Sequence, residues 1–293
     1  MLAKAYLLLP CAAGILYTVS QFWLKRALDL GVGPWRSAFV ANWLSCLVFV
    51  PMAFVWPDGP YWGGWGPAVA ASAALFAGQL LAFWAIERGD VSVVAPMMGT
   101  KVLGVVVLSV LLFHQGFGWD VWFAALLTTV AIAMLQWGPP HDRRRILRTV
   151  LFSGAAALSF ALCDVVIQRW CRDAGFFVFG AKLYLLCGLF SFGLMPFFHR
   201  PLREMPRDAL PWLAMGVVFL CLQGFCMYAA IGYFRDAAGS NIVYNLRGVW
   251  SIVLIWFAGR QFRTTEGEVG PAVLARRFIG AALMVASVAL ILV

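Results

Sequence analysis

Ten apolar runs, each close to the length of a membrane-spanning helix, recur along the 293 residues with little between them but short turns. Crossing a hydrocarbon core of about 30 Å takes roughly 20 apolar residues in helical form, because each adds only about 1.5 Å. The runs cover approximately 5–24, 37–56, 66–86, 91–113, 119–137, 149–168, 176–198, 210–230, 240–258 and 274–293. The gaps are punctuated by turn residues and charge: GVGP at 31–34, PDGPYWGGWG at 57–66, ERGD at 87–90 and HQGFGWD at 114–120. Lipid offers no hydrogen-bond partners to the backbone, so the pattern predicts an all-α integral membrane protein of about ten transmembrane helices.

Composition excludes the soluble alternative. Apolar residues make up 63% of the chain, charged residues 12%, and mean hydropathy is +0.86. A soluble domain is about 45–50% apolar and about 25% charged. The net charge of +9 does not point to nucleic acid, because the arginines sit in short loops beside the spans. Lys4 precedes the first run as in a signal peptide, but Ala5 to Leu24 is long enough to span and Lys25 and Arg26 anchor its end. That run is expected to stay as the first helix. The seven cysteines are scattered singly, most inside apolar runs, with neither disulfide nor metal spacing. There is no P-loop, HExxH or GxSxG motif, and His114, His141 and His199 fall at span ends or in loops. No catalytic site, metal or other cofactor is therefore expected. The expected partners are a small-molecule substrate and membrane lipids, with no nucleic acid and a homodimer open.

Basic residues set the orientation. Loops after the odd-numbered spans hold fifteen Lys and Arg, against four on the other side. This predicts odd-numbered loops in the cytoplasm and both termini outside, in a membrane of the bacterial plasma (inner) type.

The two halves of the chain resemble each other. DVSVVAPMMGTKVLGVVVLSVLLFHQGF begins at Asp90, and DAAGSNIVYNLRGVWSIVLIWFAGRQF begins at Asp236. At one constant offset of 146, Asp90 matches Asp236, Lys101 matches Arg247 and Gln115 matches Gln261. SQFWLKRALD at 20–29 likewise resembles CDVVIQRWCRD at 163–173. The expected organisation is a five-helix repeat over 1–138, a basic connecting loop over 139–148 (within the polar stretch GPPHDRRRILR at 138–148) and a second five-helix repeat over 149–293. An odd number of spans per repeat inserts the second upside down, and inverted repeats of this kind build many secondary transporters around a midplane site. Ten spans as five plus five, with GDVSVVAPMMG leading into the fourth, resemble the drug/metabolite transporter superfamily, particularly its EamA-like branch. The resemblance implies solute transport. Within the wider superfamily, carriers of phosphorylated metabolites place basic residues centrally.

Ionisable side chains inside spans are costly and mark function by default. Four stand out: Lys101, Asp164, Lys182 and Arg247. Lys101 lies about ten residues into its run, roughly 15 Å deep and too far in to snorkel. Arg247 sits at a similar depth in the ninth. Together the four sum to +2, which an anionic substrate group would balance; structural pairing and a proton-carrying role are the other readings. Pro96, Gly99 and Gly104 loosen the helix around Lys101, as Gly239, Ser240, Asn241, Asn245 and Gly248 do around Arg247. Small residues also serve tight helix packing. The expectation is a secondary transporter of a small anionic or zwitterionic solute, possibly phosphorylated, by alternating access between the repeats. Lys101, Arg247, Lys182, Asn245, Tyr244 and Trp250 are the candidate substrate contacts, Asp164 and Glu87 the proton-coupling candidates, and Pro96, Gly99 and Gly248 the helix breaks. A lipid-modifying membrane enzyme and a non-transporting sensor or partner subunit are the alternatives.

Overall fold

The computed structural model describes residues 2–61, 63–88, 91–136, 143–251, 253 and 271–292, and every regular element among them is helical. A 3-10 segment, Leu2–Leu7, leads into α1 (Leu8–Asp29). There follow α2 (Pro34–Val55), α3 (Trp65–Arg88), α4 (Val91–Gly99), α5 (Lys101–Phe113), α6 (Trp119–Gln136), α7 (Arg143–Trp170), α8 (Phe176–Phe190), α9 (Leu210–Gly232), α10 (Ala237–Tyr244) and α11 (Pro271–Leu292). Seven stretches are long and apolar enough to cross a membrane: Lys4–Asp29, Pro34–Val55, Trp65–Glu87, Pro96–Phe113, Ile146–Trp170, Phe176–Phe197 and Arg207–Gly232. Trp119–Leu135 and Phe278–Leu292 are shorter apolar helices. The expected span at 240–258 falls partly outside the described residues, as does the expected match of Asp90 and Gln261 to their repeat partners.

Turn chemistry works as the sequence dictates. GVGP closes α1 and opens α2 with Gly31 and Gly33 at φ of 92° and 79°, which residues with a Cβ resist, and with Pro34 in the first helical turn. Other boundaries differ from expectation. The fourth run is two helices, interrupted at Thr100. The seventh tightens into a 3-10 segment over Ser191–Phe197. The ninth starts earlier, at Ala237, turns over Asn245 and Leu246, and is helical again across 247–251. Within 139–148, expected as loop from its polarity, α7 is already helical from Arg143, because arginine is a good helix former.

The packing is reciprocal. The α1 helix lies along α9, and α7 along α3; α2 packs on α8, and α6 on α11. The broken pair α4 and α5 rests on α7, while α10 rests on α1. Exchanging the first five spans with the last five maps each of these contacts onto itself or onto another of the set, the pattern of a two-fold relation between the halves. Close approach rests on small residues, including Ala13, Ala71, Ala124, Ala161 and Ala238, all fully or nearly fully buried. This interlocking core positions the two interrupted helices against each other's partners.

Candidate functional site

Both interruptions fall immediately before a basic residue. At the first, the Thr100 N–H reaches back three residues to the Met97 carbonyl (3.1 Å) and its hydroxyl donates to the same oxygen (2.7 Å). Lys101 follows. At the second, Leu246, Gly248 and Val249 each donate to the carbonyl three residues back, at 3.0, 3.0 and 2.9 Å. Arg247 lies within that tightened turn. Pro96 sits inside α4, where it removes a backbone donor one turn ahead of the first break. Gly99 and Gly248 let the broken helices close on α6: a Cβ on Gly99 would stand 2.9 Å from Ile132, and one on Gly248 would stand 3.1 Å from Leu135. They therefore act in packing as well as in loosening the chain.

Around Lys101 the charge is balanced. Its ammonium lies 2.7 Å from Asp164 Oδ2, and the Asn241 amide donates to the same oxygen at 2.6 Å. Asn241 also donates to the Ala237 carbonyl at 2.8 Å, which fixes its side chain along α10. The pair is largely shielded, with side chains 20% and 11% exposed. Three elements thus meet at one carboxylate: α5, α7 and α10.

Arg247 has different company. Its guanidinium carbon stands 4.9 Å from the Tyr17 ring centre and 4.6 Å from that of Tyr244. Nη1 donates to the Tyr244 hydroxyl at 3.1 Å. No carboxylate lies within ion-pair distance of it among the described residues. Gly14 admits this arrangement, since a Cβ there would press to 3.1 Å from the Tyr244 carbonyl. Thr18, one turn further along α1, donates to the Gly14 carbonyl at 2.8 Å and stands 3.4 Å from that of Arg247. Thr18 precedes Asp164 by 146 residues, the separation between Lys101 and Arg247. The first half thus has a hydroxyl where the second has a carboxylate. This register differs by about one helical turn from the likeness of 20–29 to 163–173.

The remaining candidates divide. Asn245 and Tyr244 are buried at the second break, and Trp250 Nε1 is buried there with no hydrogen-bond partner among the described residues. Lys182 turns elsewhere: it donates to the carbonyls of Pro60 and Gly63 at 2.7 and 2.6 Å, with its ammonium over Trp65. It anchors the 56–64 loop, whose Asp58 accepts from the first amides of α8, Phe177 N and Val178 N, at 3.0 and 3.2 Å. Glu87, at the end of α3, accepts from the Trp35 indole at 2.8 Å and ties α3 to the start of α2. Beside these, Tyr184 stacks on Phe49 and Tyr228 donates to the Phe176 carbonyl, both as packing. Sequence reasoning missed Tyr17 and Asp58. The first is one aromatic residue in an apolar run; the second reads as an ordinary turn aspartate.

Residues 4–137, the stretch from the start of the chain through α6, match the model of the EamA-like transporter family. This segment is EamA-like. The EamA-like family is one of membrane transporters within the drug/metabolite superfamily, in agreement with the many apolar helices. A solved structure described only as the crystal structure of a protein shares the fold over 98% of this chain and 96% of its own, with a TM-score of 0.77 at 18% identity. That likeness extends the fold beyond the EamA-like segment to the second half of the chain. Among curated proteins none matches.

Proposed function

We propose that the protein is a secondary transporter of a small organic anion or zwitterion, working by alternating access around the two helix breaks. The observation that supports this best is their equivalence: each break falls immediately before a basic residue within a span, and the two basic residues lie 146 apart. Interrupted helices in membranes are tolerated where they line a protein-enclosed site, and transporters place them at the interface of inverted repeats. The repeats 1–138 and 149–293 would rock about this centre. Lys101, Arg247, Tyr244, Asn245 and Trp250 face the solute in this reading, and Asp164, already bridging Lys101 and Asn241, is the group to carry a coupling proton. The odd-numbered loops would lie in the cytoplasm of a plasma (inner) membrane, with both termini outside.

Reconstitution tests the reading. Liposomes carrying the protein should exchange a labelled organic anion across the bilayer, and Arg247→Ala should abolish exchange while leaving insertion intact. Anion-induced stabilisation without any exchange would instead make the chain a sensor. A C-terminal reporter active only in the cytoplasm should be silent, and a strong signal would reverse the orientation.

A further inference from the structure

Three basic side chains, Lys101, Lys182 and Arg247, stand out within the spans, and the structure distinguishes them by what surrounds each. Lys101 is neutralised by Asp164 at 2.7 Å. Lys182 is engaged by two loop carbonyls and an aromatic ring. Of the three, Arg247 alone has neither a carboxylate nor a carbonyl at its charged group among the described residues. The rings of Tyr17 and Tyr244 meet edge to face, 6.0 Å apart at 71°, and form a corner around its guanidinium. Nη1 is held by the Tyr244 hydroxyl. Nε and Nη2 have no acceptor among the described residues, and neither is walled in as the Trp250 indole nitrogen is.

We propose that Arg247 binds the carboxylate of a monoanionic or zwitterionic substrate, edge-on through Nε and Nη2. This rests on the transporter reading and narrows its substrate class. A guanidinium edge offers two parallel N–H groups that match the two oxygens of a planar carboxylate. Charge decides against a phosphate monoester, which carries close to two negative charges at neutral pH. One unpaired guanidinium balances one of them, and the second would be left in a medium where an unpaired charge is costly. Lys101 cannot supply the balance without abandoning Asp164, which would strand that carboxylate. The tyrosine corner keeps the guanidinium fixed without adding charge, since a ring face attracts a cation while leaving it cationic.

The test uses the full-length protein in detergent at neutral pH, with thermal unfolding read against a small series of probes matched in size. These are propionate, the zwitterion alanine, ethyl phosphate, propionamide and propylammonium, each titrated to saturation or to high millimolar concentration. Propionate or alanine should raise the midpoint with an affinity at least about tenfold above that of ethyl phosphate, a difference of about 1.4 kcal/mol. Arg247→Ala should remove the response. Arg247→Lys keeps the charge without the fork, so it covers the case in which the alanine variant fails to fold; it should weaken carboxylate binding about tenfold. Ethyl phosphate binding equally well or better, in an Arg247-dependent way, would overturn the carboxylate assignment and leave an anion transporter standing. A response to propionamide or propylammonium alone, or to none of the anions, would overturn the anion reading itself.

Discussion

The two helix breaks occupy corresponding places in the contact pattern and treat a half-buried cation in opposite ways. At Lys101 the neighbouring helix α7 supplies Asp164, and α10 adds Asn241 to the same oxygen. At Arg247 the corresponding neighbour α1 supplies Thr18 and Tyr17, a hydroxyl on the backbone and a ring under the guanidinium. The same scaffold therefore holds one closed ion pair and one open charge. A closed pair is a structural joint, or a switch if a proton breaks it. An open charge is what the proposed carboxylate site rests on. The difference lies in single side chains on α1 and α7, so each side of the comparison can be attacked separately.

The largest effect should come from breaking the closed pair. Asp164→Ala leaves Lys101 with no counter-charge, and removing one partner of a shielded pair costs about 3–5 kcal/mol. A steep fall in the unfolding midpoint is expected, with loss of the Asn241 contact and looser packing of α10. The paired replacement Lys101→Met with Asp164→Leu should recover most of that stability, because a well-packed apolar pair is often as stable as a buried ionic one. If Asp164→Ala unfolds no earlier than the parent, the pair is not a structural joint and the contrast between the breaks fails.

A smaller effect is expected at Lys182, the third basic residue. Lys182→Ala removes two hydrogen bonds from a charged donor, a loss of about 3 kcal/mol, taking each at the low end of the roughly 1.5–3 kcal/mol that such bonds contribute. Hydrogen exchange should show the gain in mobility confined to the 56–64 loop and the start of α8, where Asp58 holds the helix amides. Anion binding should stay unchanged. A weakened anion response in this variant would mean that Lys182 shares the substrate, and Arg247 would no longer be the single open charge.

What the sequence made visible follows from how polar residues stand out in lipid-compatible runs. The apolar runs were plain from length alone, and Lys101, Asp164, Lys182 and Arg247 were conspicuous for the same reason. The 146-residue offset joined Lys101 to Arg247, and the structure places both at broken turns. Their partners were not legible. Nothing local distinguishes Lys101, which meets a carboxylate, from Lys182, which meets loop carbonyls, because both answers depend on which helices lie side by side. Tyr17 gave no signal, since an aromatic residue in an apolar helix reads as packing until α10 is known to rest on α1. The breaks themselves were visible only as a local excess of Pro, Gly and Asn, with the turn at Thr100 and the turn over Asn245 and Leu246 set by tertiary packing against α6.

The sharpest test converts one break into the other. Thr18→Asp places a carboxylate on α1 at the position matched to Asp164, one turn from Gly14 and beside the Arg247 backbone. If the two sites differ only in this partner, the new aspartate should pair with Arg247 and close the open charge. Stability should hold or rise slightly, because a half-buried cation gains a counter-ion while the new carboxylate gains a partner. Anion binding should fall about tenfold, the equivalent of about 1.4 kcal/mol, since the substrate must now displace a tethered carboxylate. Thermal unfolding with and without propionate reads both quantities in one preparation. Thr18→Asn, which has nearly the same shape without the charge, separates the electrostatic effect from crowding and should bind as the parent does. Equal loss in both variants would show that space beside α1, and not the missing carboxylate, makes the second break a binding site.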